Sequence, residues 1–462
     1  MKIRSKAVTM MAISAATALV LSGCTSSGDA AEQEGITFWV QEDLPDRVAA
    51  TEAIVANFEN ESGIKVDVVP VAEDQFAQLI TASAAAGDLP DVISGLALPQ
   101  VRTLSASELI DTDAVAAAVD ALDPSTFSKK ALDLTADGDT QLAVPSESWL
   151  QMLLYRTDLF EAAGLDAPDS YDNILKAAEA LNSPEIAGFV GATAPGDAFT
   201  EQTFEQLALG NDCQLVDSDA EIKLDSKQCI EAFDFYSDLI SNYSVPGAQD
   251  VDTTRATYFA GKAAMFIWSS FILDEMAGLR EDARPNCPEC AANPAFLAEN
   301  TGIVTSIAGP DSAGPAQFGE ITSWTITDGA NAEDAQAFIT YMMTDGYEDW
   351  IAIAPEGKVP VRFGTTDEPT RYSDAWATLP AGVDTKAPLS DFYAAEVLDA
   401  VAAGPADIAR WGIPQGQGDL LGALQGEQPV ANAVTEVTQG TDAEQAAKTA
   451  AEAARSVQDS LQ

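Results

Sequence analysis

The stretch that decides the fold runs from Ile36 to Ser94 and reads ITFWVQEDLPDRVAATEAIVANFENESGIKVDVVPVAEDQFAQLITASAAAGDLPDVIS. Apolar residues alternate in ITFWV and in IKVDVVPV, which predicts two strands. Helical repeats over residues 46–61 and 75–86 separate these strands from each other and from a third strand at 91–94. This β-α-β-α-β order predicts a mainly parallel sheet with helices on both faces, and such sheets bind ligands at the carboxyl ends of their strands.

The first residues have the features of an export signal. A basic start is followed by an uncharged run at residues 7–21 and by the sequence LSGC, which ends at Cys24. These features are typical of a secretory signal, and LSGC resembles the bacterial lipobox. We expect a signal peptide at 1–23 and a lipidated tether at 24–35, which would anchor the exported chain to the outer face of the cytoplasmic membrane. The alternative is an ordinary signal peptide with an incidental cysteine.

The composition excludes several classes of function. The chain has 23 Lys and Arg against 73 Asp and Glu, and its net charge of −50 disfavours nucleic acid as a partner. It has no histidine, which excludes Ser-His-Asp and Cys-His catalysis and removes the commonest zinc ligand. Because the sequence also lacks Walker A, dinucleotide and calcium-loop motifs, we expect no cofactor and no bound metal.

Four cysteines follow Cys24. An even count in an exported chain favours disulfides, and we expect the pairs Cys213–Cys229 and Cys287–Cys290 because each closes a local loop. The sequence Cys287-Pro-Glu-Cys290 also has the spacing of a redox motif or of half a zinc site. It lies between prolines and carries an acidic residue that opposes a reactive thiolate, so a structural disulfide is the better interpretation.

Several segments, taken in order along the chain, resemble the family 1 extracellular solute-binding proteins of the maltose-binding type. Each segment is weakly specific alone, and the ordered set is specific. The segments are FWVQED (38–43), NFENESGIKVDVVPV (57–71), AAGDLPDVI (85–93), LAVPSESWLQMLLYRTDLFEAAGLDAP (142–168), FAGKAAMFIWSS (259–270) and APEGKVPVR (354–362).

This resemblance implies an α/β chain with a two-lobed periplasmic-binding-protein-like fold of type II. Each lobe would be a mainly parallel sheet flanked by helices, and hinge crossovers would let the lobes close around a ligand. The implied boundaries are lobe 1 at 36–145 and 324–357, lobe 2 at 146–323 and 358–462, and crossovers near 144–146, 319–323 and 358–364. Outside the resemblance, residues 333–353 have the repeat of a single helix.

The resemblance also implies ligand contacts in the cleft between the lobes. Aromatic side chains can cover the apolar faces of a sugar ring, and charged or amide side chains can pair with its hydroxyls. The expected contacts are the polar Glu42, Asp43, Glu147, Asp197, Glu320 and Arg410 and the aromatic Trp149, Phe199, Trp268, Phe271, Trp324 and Trp411. The alternative for any one tryptophan is core packing, which is our interpretation of Trp39 and Trp350. The alternative for Arg410 is an ion pair that ties a loop to a carboxylate.

By this resemblance the chain is a substrate-binding lipoprotein of an ABC importer. It would capture a sugar or oligosaccharide and deliver it to the permease subunits, acting as a monomer and without catalysis. The alternative ligand is a polyamine or another small polar solute, since carboxylates and aromatic rings suit cations. A glycan-acting enzyme and a surface adhesin are the remaining alternatives.

Overall fold

The computed structural model describes residues 35–461. The predicted signal peptide, Cys24 and all of the tether except Gly35 lie outside the described residues. The strands are β1 (Ile36–Gln41), β2 (Val66–Val71), β3 (Val92–Leu96), β4 (Ala136–Asp137), β5 (Thr140–Gln141), β6 (Val144–Arg156), β7 (Met265–Ser269), β8 (Thr301–Val304), β9 (Gln317–Ile326), β10 (Val359–Pro360), β11 (Pro380–Ala381), β12 (Ala387–Pro388) and β13 (Ile408–Ala409).

Helices cover most of the remaining described chain. They are α1 (Pro45–Ser62), α2 (Glu73–Ala86), α3 (Leu98–Ala106), α4 (Thr112–Ala121), α5 (Lys129–Leu134), α6 (Thr157–Ala163), α7 (Tyr171–Leu181), α8 (Ala198–Gly210), α9 (Lys227–Tyr243), α10 (Val251–Phe259), α11 (Ile272–Met276), α12 (Phe296–Glu299), α13 (Ala332–Met342), α14 (Tyr347–Ile351), α15 (Arg371–Trp376), α16 (Ala395–Ala403), α17 (Gly418–Leu424), α18 (Pro429–Thr438) and α19 (Ala443–Ser460). None of the helices within residues 35–461 is long and apolar enough to span a membrane.

The N-terminal sheet has the predicted parallel order. Strand β1 lies between β2 and β3 and pairs in parallel with both. Helix α1 buries Ile54, Val55 and Phe58 on one face and ends at Gly63, whose φ of 78° lies in the left-handed region that favours glycine. The three strands and two helices predicted from this stretch are therefore confirmed, with ends shifted by a few residues.

Two long strands carry the chain between the two lobes. The first residues of β6 pair with β9 in the register Val144↔Trp324, and the last residues of β6 pair with β7 and β8. Strand β9 likewise pairs with β3 at one end, through Ile326, and with β13 at the other, through Gln317. One continuous sheet therefore links both lobes, which is the two-lobed α/β class expected from the sequence.

The second lobe differs in one respect from the expectation of a mainly parallel sheet. Strands β7 and β8 both pair with β6 in the antiparallel direction. In the second lobe, parallel pairing is confined to β13 beside β9 and to single bridges such as Val190↔Phe266. The sheet is mixed because β6 enters from the other lobe, so its direction is set by that crossing and not by a local β-α-β unit.

The predicted helix at residues 333–353 is instead two helices, α13 and α14. The chain turns between them and brings Gly346 against α1, where an added Cβ would lie 3.0 Å from the side chain of Ile54. Close packing against α1 therefore interrupts a continuous helical repeat.

The structure also joins Cys213 to Cys229 and Cys287 to Cys290, with S–S distances of 2.08 and 2.01 Å. These are the pairs expected from the sequence.

Candidate functional site

A cavity of about 430 Å³ lies where the two lobes meet. Its walls come from the loop after β1, from β6 at the first crossover, from the segment joining β7 to α11, and from the segment that leads into β10. Half of the contacts expected from the sequence line this cavity, which are Glu42, Asp43, Glu147, Trp149, Trp268 and Phe271. We call this cavity the cleft.

Three aromatic side chains that we expected from the sequence form part of the cleft wall. Trp149 is half-buried in β6 and its ring lies 6.0 Å from that of Phe318. The Trp268 indole is held in place because its Nε1 donates to the carbonyl oxygen of Val251 at 3.0 Å. Phe271 lies on the backbone of Gly357, where an added Cβ would come within 1.9 Å of the ring. Only glycine at 357 leaves room for this ring position.

A charged cluster forms the crossover side of the cleft. The Glu147 carboxylate accepts from Lys358 Nζ at 2.8 Å and from Trp350 Nε1 at 3.0 Å. Lys358 also lies 3.8 Å above the Trp350 ring, a cation–π contact. Sequence reasoning assigned Trp350 to the core or a lobe face and missed Lys358. Trp350 is buried, yet it also lines the cleft.

Arg47 is a second cleft residue that sequence reasoning missed. Its guanidinium lies 3.6 Å from Glu42 and 3.4 Å from Glu356, and its Nε is buried without a hydrogen-bond partner among the described residues. A signal was available, since α1 begins just after the carboxyl end of β1. Residues in the first turn of such a helix lie at the ligand-binding edge of the sheet.

Helix α11 and the loop after it add Glu275 and Arg280 to the cleft. Glu275 accepts from Arg255 at 2.9 Å and lies 3.6 Å from Arg280. Burial, partly offset by these arginines, raises the pKa of Glu275 to about 7. The cations of the cleft are thus each engaged by a carboxylate: Lys358 by Glu147, Arg47 by Glu42, and Arg280 by Glu275.

Two further expected contacts, Asp197 and Phe199, do not line the cleft themselves. Asp197 caps α8, where its carboxylate accepts from the backbone N–H of Phe199 at 3.3 Å. Burial raises the pKa of Asp197. The Phe199 ring packs against the Trp268 indole, with ring centroids 6.1 Å apart.

The other four expected contacts are buried and do not line the cleft. Arg410 lies 2.5 Å from Glu320 and 3.6 Å from Glu205, all three being at most 5% exposed. Trp411 donates from Nε1 to the carbonyl oxygen of Cys213 at 2.8 Å. Trp324 stacks on Phe38 in the first lobe, with ring centroids 4.9 Å apart.

These positions correspond to the alternatives that the sequence left open. The two tryptophans are core residues, and Arg410 ties its loop to carboxylates on α8 and β9. Polar neighbours in sequence suggested a cleft position for Trp411, but the neighbouring Arg410 pairs with Glu205 and Glu320 in the interior. Glu201, on the first turn of α8, belongs to the same buried cluster, and burial next to Glu205 raises its pKa to about 8.

Comparisons with known proteins agree with this architecture. Residues 41–349 match the family model of bacterial extracellular solute-binding proteins. YcjN of Escherichia coli (strain K12), whose name describes a periplasmic-binding protein of an ABC transporter, is 28% identical over 367 residues, which are 78% of this chain and 79% of YcjN.

Two solved structures have a similar fold. The GacH receptor of Streptomyces glaucescens, solved unliganded and with acarbose, is 18% identical with a TM-score of 0.67 over 92% of this chain and 98% of its own. A sugar transporter from Arthrobacter chlorophenolicus with bound laminaribiose is 19% identical with a TM-score of 0.66 over 91% of this chain and 99% of its own.

Proposed function

Because this chain belongs to the bacterial extracellular solute-binding protein family, we propose that it captures a neutral sugar or short oligosaccharide in the cleft for an ABC importer. The observation that carries the proposal is the composition of the cleft wall. Aromatic rings stand beside charged groups that already pair with one another. Such a wall offers apolar faces and strong hydrogen-bonding groups at the same time.

The size of the cleft agrees with a small ligand. Its volume of about 430 Å³ falls within the usual range for small-molecule sites, which is roughly 300–1,000 Å³. The structural relatives described above hold acarbose and laminaribiose. These ligands carry many hydroxyls, and Trp149, Trp268 and Phe271 supply the aromatic surface that covers the faces of such rings.

The pairing of charges favours a neutral ligand over a polyamine. A polyamine requires carboxylates that are not already neutralised, because each buried ammonium group must be compensated. Glu42, Glu147 and Glu275 each have an arginine or lysine partner within 4 Å. Hydroxyl groups can join these pairs as additional hydrogen-bond donors and acceptors without separating them.

The same proposal covers the parts of the chain around the cleft. Residues 36–145 with 324–357 form one lobe, and 146–323 with 358–462 form the other, with hinges near 144–146, 319–323 and 358–364. Cys24 carries the lipid anchor after removal of residues 1–23, and the tether at 24–35 holds the monomeric body near the permease. The protein releases its ligand to the permease unchanged, without enzymatic turnover.

A thermal-shift screen of the purified protein tests this proposal. The panel contains mono- and oligosaccharides, polyamines and glycerol phosphates. A ligand at 100 times its Kd adds about 2.7 kcal/mol to the free energy of unfolding, which raises Tm by a few degrees in a protein of this size. We expect a sugar series alone to raise Tm.

The variant Trp149→Ala provides the matched control. It should fold and lose the shift, because the ring stands at the cleft and only partly in the core. A shift produced by polyamines alone would contradict the neutral-ligand proposal. The absence of any shift, or hydrolysis of an oligosaccharide during incubation, would contradict capture without turnover.

A further inference from the structure

Two buried carboxylates lie in segments that pack against each other beside the cleft, since the Phe271 ring just before α11 rests on Gly357. Asp274 lies in α11, directly after the β7 segment of the second lobe, and its side chain is fully buried. Glu356 lies between α14 and β10, on the first-lobe side, and is 1% exposed. Their chain neighbours Glu275 and Gly357 line the cleft, so each carboxylate is one residue away from the cleft wall.

These two carboxylates are poorly satisfied as anions. Both carboxylate oxygens of Asp274, and Oε2 of Glu356, lack a hydrogen-bond partner within residues 35–461. Burial of a charged group without hydrogen-bond partners is strongly unfavourable. The carboxylate of Glu147 does have donors, so the pair differs from the ion pairs of the cleft wall.

The nearby cations do not supply the missing hydrogen bonds of these carboxylates. Arg47 divides its guanidinium between Glu42 and Oε1 of Glu356. Arg280 donates to Asp282 at 2.8 Å and makes no hydrogen bond to Asp274 in the described structure. The charged or titratable groups that face the pair, from all the elements packed around it, are Arg47, Glu275, Arg280, Lys386 and Tyr393.

Two adjacent buried carboxylates avoid mutual repulsion when one of them is protonated, because a shared proton supplies the missing donor. We propose that Asp274 and Glu356 share one proton across the interface between the lobes and thereby couple closure of the cleft to pH. This inference rests on the proposed function, since closure has a purpose only in a protein that captures a ligand.

The direction of the pH effect follows from burial. Burial and the charge of Glu356 raise the pKa of Asp274 well above its ordinary value, and burial raises the pKa of Glu356. When the lobes separate, water reaches both groups and their pKa values return toward ordinary ones. Closure therefore takes up a proton. The closed state is favoured below the ordinary carboxyl pKa and loses this advantage as pH rises toward the raised pKa.

The inter-lobe distance in the protein without any sugar tests this inference. Spin labels on Glu61→Cys and Glu179→Cys, which are exposed positions in the two lobes, report the opening of the cleft. We expect the mean distance to shorten as the pH is lowered from 8 to 5. In Asp274→Asn the distance should stay short throughout, because the amide N–H can donate to Glu356 as the shared proton does.

Two further variants make this test specific. Glu356→Gln should reproduce the result of Asp274→Asn, and it replaces that variant if Asp274→Asn fails to fold. Asp349→Asn, an exposed change on α14, should keep the pH response. A pH-independent distance in the native protein, or a native response in both amide variants, would overturn the inference.

The test is separate from that of the proposed function because no sugar is present. If the distance responds to pH but no sugar binds, the shared-proton proposal stands and the ligand proposal fails. If both hold, sugar affinity should change by up to about tenfold for each pH unit in the window where closure takes up one proton. The amide variants should lose that dependence.

Discussion

The cleft cluster and the buried cluster of this protein are built from the same kinds of residue. In the cleft, Glu147 pairs with Lys358 beside Trp350. In the buried cluster, Glu320 pairs with Arg410 and also accepts from the backbone N–H of Leu98 at 3.0 Å, and Trp411 follows Arg410 in the chain. Each cluster borders a crossover strand, and in sequence each presents a tryptophan among polar residues.

The difference between them lies in what remains available to a ligand. The buried arginine meets two carboxylates and lies over the Phe318 ring at 4.7 Å, so its surroundings are protein on every side. The Lys358–Glu147 pair lines an open cavity. Charge pairing therefore ties buried segments together in one place and lines a cavity in the other, and only tertiary position distinguishes the two.

The largest effect should follow from Arg410→Met. This change leaves Glu205 and Glu320 buried without their cation, and breaking a buried pair in this way costs about 3–5 kcal/mol. Denaturant unfolding at pH 7 should show that loss, whereas the Kd of the folded protein for its sugar should stay within about twofold. A large loss of affinity with normal stability would assign Arg410 to the binding surface instead.

For Trp149→Ala we expect the opposite pattern, in which sugar affinity falls and stability does not fall by a comparable amount. Loss of an aromatic contact of this kind costs about 2 kcal/mol of binding, which is roughly thirtyfold in Kd by calorimetry. The matched control is Trp411→Phe, which removes the hydrogen bond to Cys213 and should lower stability by about 1–2 kcal/mol without a change in Kd. Equal losses of affinity in both variants would contradict the distinction between the cleft cluster and the buried cluster.

Glu201→Gln tests the buried cluster through the pH dependence of protein stability. The pKa of Glu201 is raised to about 8 from 4.5, so between these values the folded protein holds a proton that the unfolded chain releases. This group therefore makes the protein less stable as pH rises, by up to about 1.4 kcal/mol for each pH unit. The variant should match the native Tm at pH 5 and exceed it at pH 8. An equal Tm difference at both pH values would contradict this assignment.

The smallest effect is expected for Lys358→Met. The change removes one cation from the cleft and leaves Glu147 with Trp350 as its donor. Sugar affinity should fall about fivefold, or about 1 kcal/mol, since one charge-assisted contact is lost. Lys129→Met, on an exposed helix surface, should leave the Kd unchanged. A tighter Kd in Lys358→Met would indicate that the ligand is a cation.

The sequence predicted the architecture well because local patterns determine it. The apolar alternation of β1 and β2 and the glycine that ends α1 required no tertiary information. Two expectations failed. The continuous helix at residues 333–353 is divided at the turn where Gly346 packs against α1, which a helical repeat does not reveal. The sheet of the second lobe is mixed because β6 enters it from the first lobe.

The site was predicted only in part, for a different physical reason. Trp149 and Trp268 lie in segments whose order along the chain resembles a known family, and both line the cleft. Trp411 and Arg410 also had polar neighbours, but Glu205, which pairs with Arg410, lies about 200 residues away in sequence. Arg47 and Lys358 were missed because their roles depend on partners from distant segments.

The most direct test of the account is a crystal structure with the sugar that gives the largest thermal shift. We predict that the sugar lies in the cleft with a ring face against Trp149 or Trp268 and with hydroxyls within hydrogen-bond distance of Glu147 or Arg47. The buried Arg410–Glu320 pair should be unchanged. A sugar bound at Trp411, or one that displaces Arg410 from Glu320, would contradict the division between binding surface and scaffold.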